Sequence, residues 1–413
     1  MQQGEKMTFA DTTFYNTPKP ISTAEICQRT EKSADNEYGL IHVDSIPYNQ
    51  PCVLYVGGDG TTDDRAANGN AKIIETDILE PMGIKIPIYS IKYNFAPNSA
   101  LYSRAIGFMK NRAEPLYDPK ARKEELEKDA SFDDFHPQYI TTLYHKILQP
   151  RISLLNGKGR LPLEEACRRV RNLTIVAHCH GGFVVSELEK KMRADMKRLG
   201  YDLSERKQIL AQMLTVAHAP ACALGIAKSQ MVSFMTVEDM EWPKSVTQRV
   251  NNNFLNNYLC ERKRENKFHL QCLMNGDEQG AAKHRVLNLP PCYFAPQQGN
   301  MFLIQEKSIK KNRDLFQVNR AEHNDIAYGY GGKSEDGILM TMIAKNIIQN
   351  GVKNSLRQKD GFTPLPKLEN LILGESPEYN AQLKTLFARM VENGKKLRNI
   401  VCRYAMDKLK KER

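Results

Sequence analysis

With 413 residues, 41% of them apolar and 26% charged, the chain has room for one large domain with insertions or for two ordinary domains. No run of about 18 apolar residues occurs and the N-terminus lacks an apolar core, so neither a membrane-spanning helix nor a secretory leader is expected. A net charge of +11 invites nucleic acid, but the excess is clustered (Arg168, Arg169 and Arg171; Arg262 to Arg264; Lys307 to Arg313; Lys408 to Arg413) without interleaved aromatic platforms.

Those clusters read as solvated faces with a preference for an anionic membrane surface, and no nucleic-acid partner is expected. The nine cysteines are scattered without CxxC pairs, which fits free thiols in a reducing, cytoplasmic compartment; export as an effector is left open, as is the oligomeric state.

Residues 1–48 are polar and broken by Pro18, Pro20 and Pro47, and read as an N-terminal arm. A strand over 51–56 runs into Gly57-Gly58-Asp59-Gly60-Thr61. A helix is expected over 71–79 and a strand over 84–91, with Pro87 hinting at an edge or a bulge. Residues 96–131 are charged and irregular, an insertion. Helices follow over 135–155 and 161–171, the latter opening on Pro162, Glu164 and Glu165.

Leu173 to Ala177 is a short apolar run that reads as a buried strand. From Phe183 onward, Phe183, Val184, Leu188 and Met192 recur at helical spacing, with Glu187, Glu189, Lys190 and Lys191 on the opposite face. Between strand and helix stand His178, Cys179 and His180, then Gly181 and Gly182. So abrupt a junction lifts Cys179 out of the chain and aims helix N-terminal N–H groups at it. The positive end of the helix favours a thiolate there and, later, an oxyanion on a bound substrate.

Further strands are expected over 213–217, ending at His218, and over 231–236, ending at Glu238 and Asp239. Residues 243–265 read as a polar helix. A strand over 268–274 leads to Asn275-Gly276-Asp277, and short β segments over 285–318 read as an excursion near the site. A loop carrying His323 precedes a helix over 335–349. Residues 351–413 form a C-terminal helical extension whose apolar stripe (Leu383, Leu386, Met390, Leu397) reads as docked on its own domain. Alternating strands and helices predict a three-layer α/β/α core over 49–350 with a mostly parallel, doubly wound sheet, interrupted by insertions at 96–131 and 276–318.

Ala177-His178-Cys179-His180-Gly181-Gly182 resembles the nucleophile elbow of the α/β-hydrolase superfamily, with cysteine as nucleophile as in the dienelactone hydrolases and polyhydroxyalkanoate synthases. Ala177 stands where the common form has glycine. The resemblance implies a Cys-His-acid triad in the order nucleophile, acid, histidine. His323 is the expected base, with His284 behind it. Asp239 is the expected acid, with Asp277 and then Glu238 as alternatives. The oxyanion hole falls to the N–H of His180 and one from Gly57 or Gly58, and His178 and His218 are expected in the substrate pocket. The activity implied is hydrolysis of an ester or thioester of a small-molecule or lipid acyl substrate, with acyl transfer as the alternative.

Two other readings stand beside it. Gly57 to Thr61 also resembles the GGDGT loop of the NAD kinases and diacylglycerol kinases, which implies phosphotransfer involving Asp59. A silent hydrolase-fold binding protein is the third. His178, Cys179, His180 and His218 could be taken for zinc ligands, but alternate residues at a turn diverge and no second pair has zinc-like spacing, so no metal and no cofactor is expected there.

Overall fold

The computed structural model describes residues 24–31, 38–58, 61, 63–93, 138–154, 157–220, 228–236, 272, 275–283, 292–295, 300–304, 335–360 and 362–411. In chain order the elements are β1 (Ala24–Arg29), β2 (Leu40–Val43), β3 (Cys52–Val56), α1 (Asp64–Ile73), β4 (Ile88–Tyr93), α2 (Gln138–Ile147), α3 (Leu163–Arg171), β5 (Leu173–His178), α4 (His180–Arg198) and α5 (Leu203–Leu210). There follow β6 (Leu214–His218), β7 (Gln230–Thr236), α6 (Glu278–Ala282), β8 (Cys292–Ala295), β9 (Met301–Ile304), α7 (Glu335–Leu356), α8 (Leu368–Leu371) and α9 (Pro377–Lys411).

The strands form one mixed sheet in the order β2-β1-β4-β3-β5-β6-β7-β9-β8. From β4 to β9 every pairing is parallel, while β1 runs antiparallel to β2 and β4, and β8 antiparallel to β9. The chain is therefore of the α/β class, with helices covering both faces of the sheet.

Strand periodicity divides the core. On β3, Cys52, Leu54 and Val56 face one layer and Val53 and Tyr55 the other, and all of them are buried. The first layer is built from α2, α3, α4 and α5, through residues such as Ile140, Val170, Leu188 and Ile209. The second is built from α1, α7 and α9, through Ala71, Ile343 and Leu386. Strands buried on both faces read as continuous apolar runs, which is why β3, β5 and β6 were visible in the sequence. Each fully buried aliphatic side chain contributes about 1.5–3 kcal/mol.

Several expectations change. The supposed arm contains β1 and β2, which extend the sheet. α1 starts well before residue 71, because the Asp63 carboxylate accepts from Ala66 N at 2.8 Å and caps the helix there. β4 is internal, and Pro87 lies just before it, where its carbonyl accepts from Val53 N.

The excursion placed at 276–318 contributes β8 and β9 to the sheet itself. Where a strand was expected over 268–274, Cys272 is helical, and its carbonyl accepts from Asn275 N and Asp277 N around a left-handed Gly276. The C-terminal extension docks on its own domain as expected: α9 lies so close to β8 that a Cβ on Gly394 would sit 1.9 Å from the Phe294 carbonyl oxygen.

The Arg168–Arg171 cluster is not a solvated face either. Arg171 is fully buried, donating to Asn354 Oδ1 at 2.6 Å and to the Gly351 carbonyl, and so tying α3 to α7. Arg169 bonds Glu165 and the Pro150 carbonyl and lies 3.9 Å over the Tyr48 ring. The six cysteines whose side chains are described (Cys27, Cys52, Cys167, Cys179, Cys272 and Cys402) are free thiols, and the first three are buried. No helix among the described residues is long and apolar enough to cross a membrane.

Candidate active site at the carboxyl ends of β3 and β5

β3 and β5 are parallel neighbours in register from Cys52↔Leu173 to Val56↔Ala177. The chain leaves them in opposite directions. From β3 it passes through α1, on one face, to β4; from β5 it passes through α4, on the other face, to β6. Where adjacent parallel strands send their helices to opposite faces, the carboxyl ends part and leave a crevice in which α/β proteins bind ligands. The two residues brought to that crevice are Gly58, just past β3, and Cys179, just past β5.

Cys179 is the sole link between β5 and α4, with φ 52° and ψ −122°. A side-chain-bearing residue in that region costs about 1–3 kcal/mol and persists only when its surroundings enforce it. Here they do. Its N–H donates to the His218 carbonyl at 3.0 Å, and its own carbonyl accepts from Gly182 N at 3.0 Å. Gly181 allows α4 to start against β3: a Cβ there would lie 1.9 Å from Val56 O and 2.7 Å from Gly57 O. The thiol is half-buried, at the N-terminus of a 19-residue helix.

The glycine loop reaches the thiol. A Cβ on Gly58 would stand 3.2 Å from Cys179 Cβ, 3.7 Å from its Sγ and 3.7 Å from His178 Nδ1. Any side chain at position 58 would thus lie against Cys179, and glycine leaves that space beside the sulfur open. The loop closes on itself through Thr61 N donating to Gly58 O at 3.0 Å, with Thr61 buried.

His178 and His218 are register partners on β5 and β6. His178 is half-buried beside Gly58. His218 differs from the pocket wall expected of it: its ring is enclosed and stacked 6.1 Å from Phe234, and its carbonyl is what holds the elbow. Burial, reinforced by His178, pushes the His218 pKa down to about 3. In the unfolded chain the ring protonates as pH falls through about 6.5, whereas in the folded chain it stays neutral until about 3. Between those values the unfolded state binds more protons, so this contribution to stability is complete above the upper value and is lost on acidification. Urea denaturation is expected to show a loss of about 3 kcal/mol from this group between pH 7 and pH 4, absent in His218→Gln.

Asp277 is exposed and caps the short helix α6, its carboxylate accepting from Gly280 N at 2.7 Å. A helix end, not a strand, precedes it, which gives it a capping role and weakens it as the acid. Asp239, Glu238, His284, His323, Asp59 and the insertion at 96–131 lie outside the described residues. α4 opens at His180, three residues before the start that its apolar spacing indicated.

Two supports had no sequence signal. Ala219, at φ 43°, makes a second strained turn at the same sheet end, its N–H on Phe234 O at 2.9 Å. Glu189 of α4, assigned to a wet face, is buried and accepts from Lys228 N, Ser229 N and Ser229 Oγ, fixing the chain that enters β7.

No protein-family model matches the sequence, and none of the curated proteins matches it.

Proposed function

We propose that the protein is an acyl hydrolase of the α/β-hydrolase type, acting on an ester or thioester through Cys179. The observation that carries this reading is the positive-φ Cys179 at a one-residue strand-to-helix link, with Gly58 beside it at the sheet's switch point. A sharp, strained turn that presents a nucleophile above a parallel sheet is the mechanical core of that superfamily's elbow.

In the proposed reaction His323 takes the Cys179 proton and the thiolate adds to the acyl carbonyl, with Asp239 orienting the imidazole. The oxyanion is held by the His180 N–H, at the positive end of the helix, and by an N–H of the Gly57–Gly58 loop. The leaving alcohol or thiol takes the proton from His323, and water activated by the same imidazole then cleaves the thioester, restoring the thiol. An acceptor alcohol in place of water makes the same enzyme an acyltransferase.

The proximity of Gly58 to Cys179 also favours this reading of the loop over phosphotransfer, since it makes one site of the two sequence features. A panel of p-nitrophenyl esters and acyl thioesters, assayed with and without ATP and Mg²⁺, tests the proposal. Expected is nucleotide-independent hydrolysis that His323→Ala lowers by about 10²–10⁴-fold. Turnover that requires ATP and vanishes in Asp59→Ala but not in Cys179→Ala overturns it.

A further inference from the structure

We propose that Cys27, His42 and Asp64 bind one divalent transition-metal ion of the zinc type, which clamps the start of α1 to the β1–β2 hairpin. Cys27 and His42 are cross-strand partners, so their side chains share a face of the sheet. α1 crosses that face: Ala67 packs on Cys27 and Leu40, and Asp64, the first residue of α1, overhangs the histidine.

One ligand atom from each of the three residues lies within 4.8 Å of the other two. Cys27 Sγ is 3.7 Å from His42 Nδ1, and His42 Nε2 is 3.8 Å from Asp64 Oδ1. A tetrahedral ion with bonds of about 2.3 Å to sulfur and about 2.0 Å to nitrogen or oxygen spaces its ligands about 3.3–3.6 Å apart. Because one ion takes a single ring nitrogen, the limit that counts is the 4.8 Å within which the three ligand atoms lie, and closing to that spacing takes up to about 1.5 Å, within reach of a rotation of the half-exposed His42 ring.

A thiol, an imidazole and a carboxylate together suit zinc rather than calcium or magnesium, which prefer all-oxygen cages. With Nε2, the nitrogen beside Asp64, as the ligand, Nδ1 is left to donate to Glu25 Oε2 at 3.2 Å, the outer carboxylate that orients a ligating histidine. Without metal, Lys92 bridges Glu25 and Asp64 at 2.7 and 2.9 Å. On binding, the Cys27 proton leaves to solvent, the ion takes Asp64, and Lys92 keeps Glu25. His42, with its side chain 52% exposed, leaves the fourth position open to water.

The site is distinct from the Cys179 crevice, yet α1 begins shortly after the Gly57–Gly58 loop, so the ion would brace that loop from behind. The test is zinc titration of the chelator-treated full-length chain, with bound metal counted by mass spectrometry and cobalt as an absorbance probe of thiolate ligation. Expected is one ion per chain with thiolate-to-cobalt charge transfer, weakened at least about 100-fold by Cys27→Ser and by His42→Ala and unchanged by Cys179→Ser. Because the His42 side chain is exposed, its variant keeps the test decisive if Cys27→Ser fails to fold. Absence of zinc binding, binding that survives both variants, or binding lost in Cys179→Ser overturns the proposal.

Discussion

Replacing Cys179 with alanine is expected to lower ester or thioester turnover by about 10⁵-fold or more, because a nucleophile, its base and its oxyanion donors act as a unit and removing the nucleophile disables all of them. The fold should survive. Cys179 sits at φ 52°, where a side chain is strained, so Cys179→Gly should be as inactive as Cys179→Ala yet keep or gain stability, by up to about 1 kcal/mol. Loss of activity with unchanged or raised resistance to urea marks strain held for chemistry. A half-buried cysteine with a packing role alone would lose stability in both variants. Retention of full activity in Cys179→Ala contradicts the account.

The largest expected effect on stability belongs to Gly181→Ala. The new methyl would enter 1.9 Å from the Val56 carbonyl oxygen and 2.7 Å from that of Gly57, both backbone atoms of the sheet's centre, which cannot swing away as a side chain could. Either α4 lifts off β3 or the Gly57–Gly58 loop moves. A cost of about 3–5 kcal/mol is expected, a large fraction of the about 5–15 kcal/mol that holds a domain together. Gly69 in α1 is the internal control. A Cβ there meets nothing within 4 Å, so Gly69→Ala should be neutral or stabilising by up to about 1 kcal/mol. Equilibrium denaturation of the two variants separates a clash specific to the elbow from a general effect of alanine. Equal effects would mean that the close approach of α4 to β3 is not as described.

The parallel centre of the sheet was legible because its strands are short, apolar on both sides and bounded by glycine or proline. Leu173 to Ala177 and Met213 to Ala217 needed nothing more. The edges were not. β1 carries Glu25 and Gln28 and is only partly buried, so its segment reads as polar chain until Cys27 and Ile26 find partners in β2 and β4. Sheet membership of β8 and β9 depends on a parallel pairing with β7 across some 65 residues, and no local pattern encodes that.

At the site, the thiol and the glycine loop could be read from one junction and one turn, though the helix starts three residues earlier than its apolar spacing showed. The enclosure of His218 could not, because an apolar strand ending in histidine looks the same whether the ring faces a pocket or Phe234. Nor could the Cys27–His42–Asp64 cluster. Its members come from two strands and a helix, so zinc-like spacing along the chain never arises.

The account is tested most directly by rapid-quench intact-mass measurement of the protein mixed with an activated acyl ester, with peptide mapping to locate the adduct. It predicts a single acyl group on Cys179, formed within one turnover and hydrolysed at the steady-state rate, absent in Cys179→Ala and long-lived in His323→Ala. Acylation confined to the exposed Cys402, or no adduct while turnover proceeds, would show that the sulfur at the end of β5 is not where the chemistry happens.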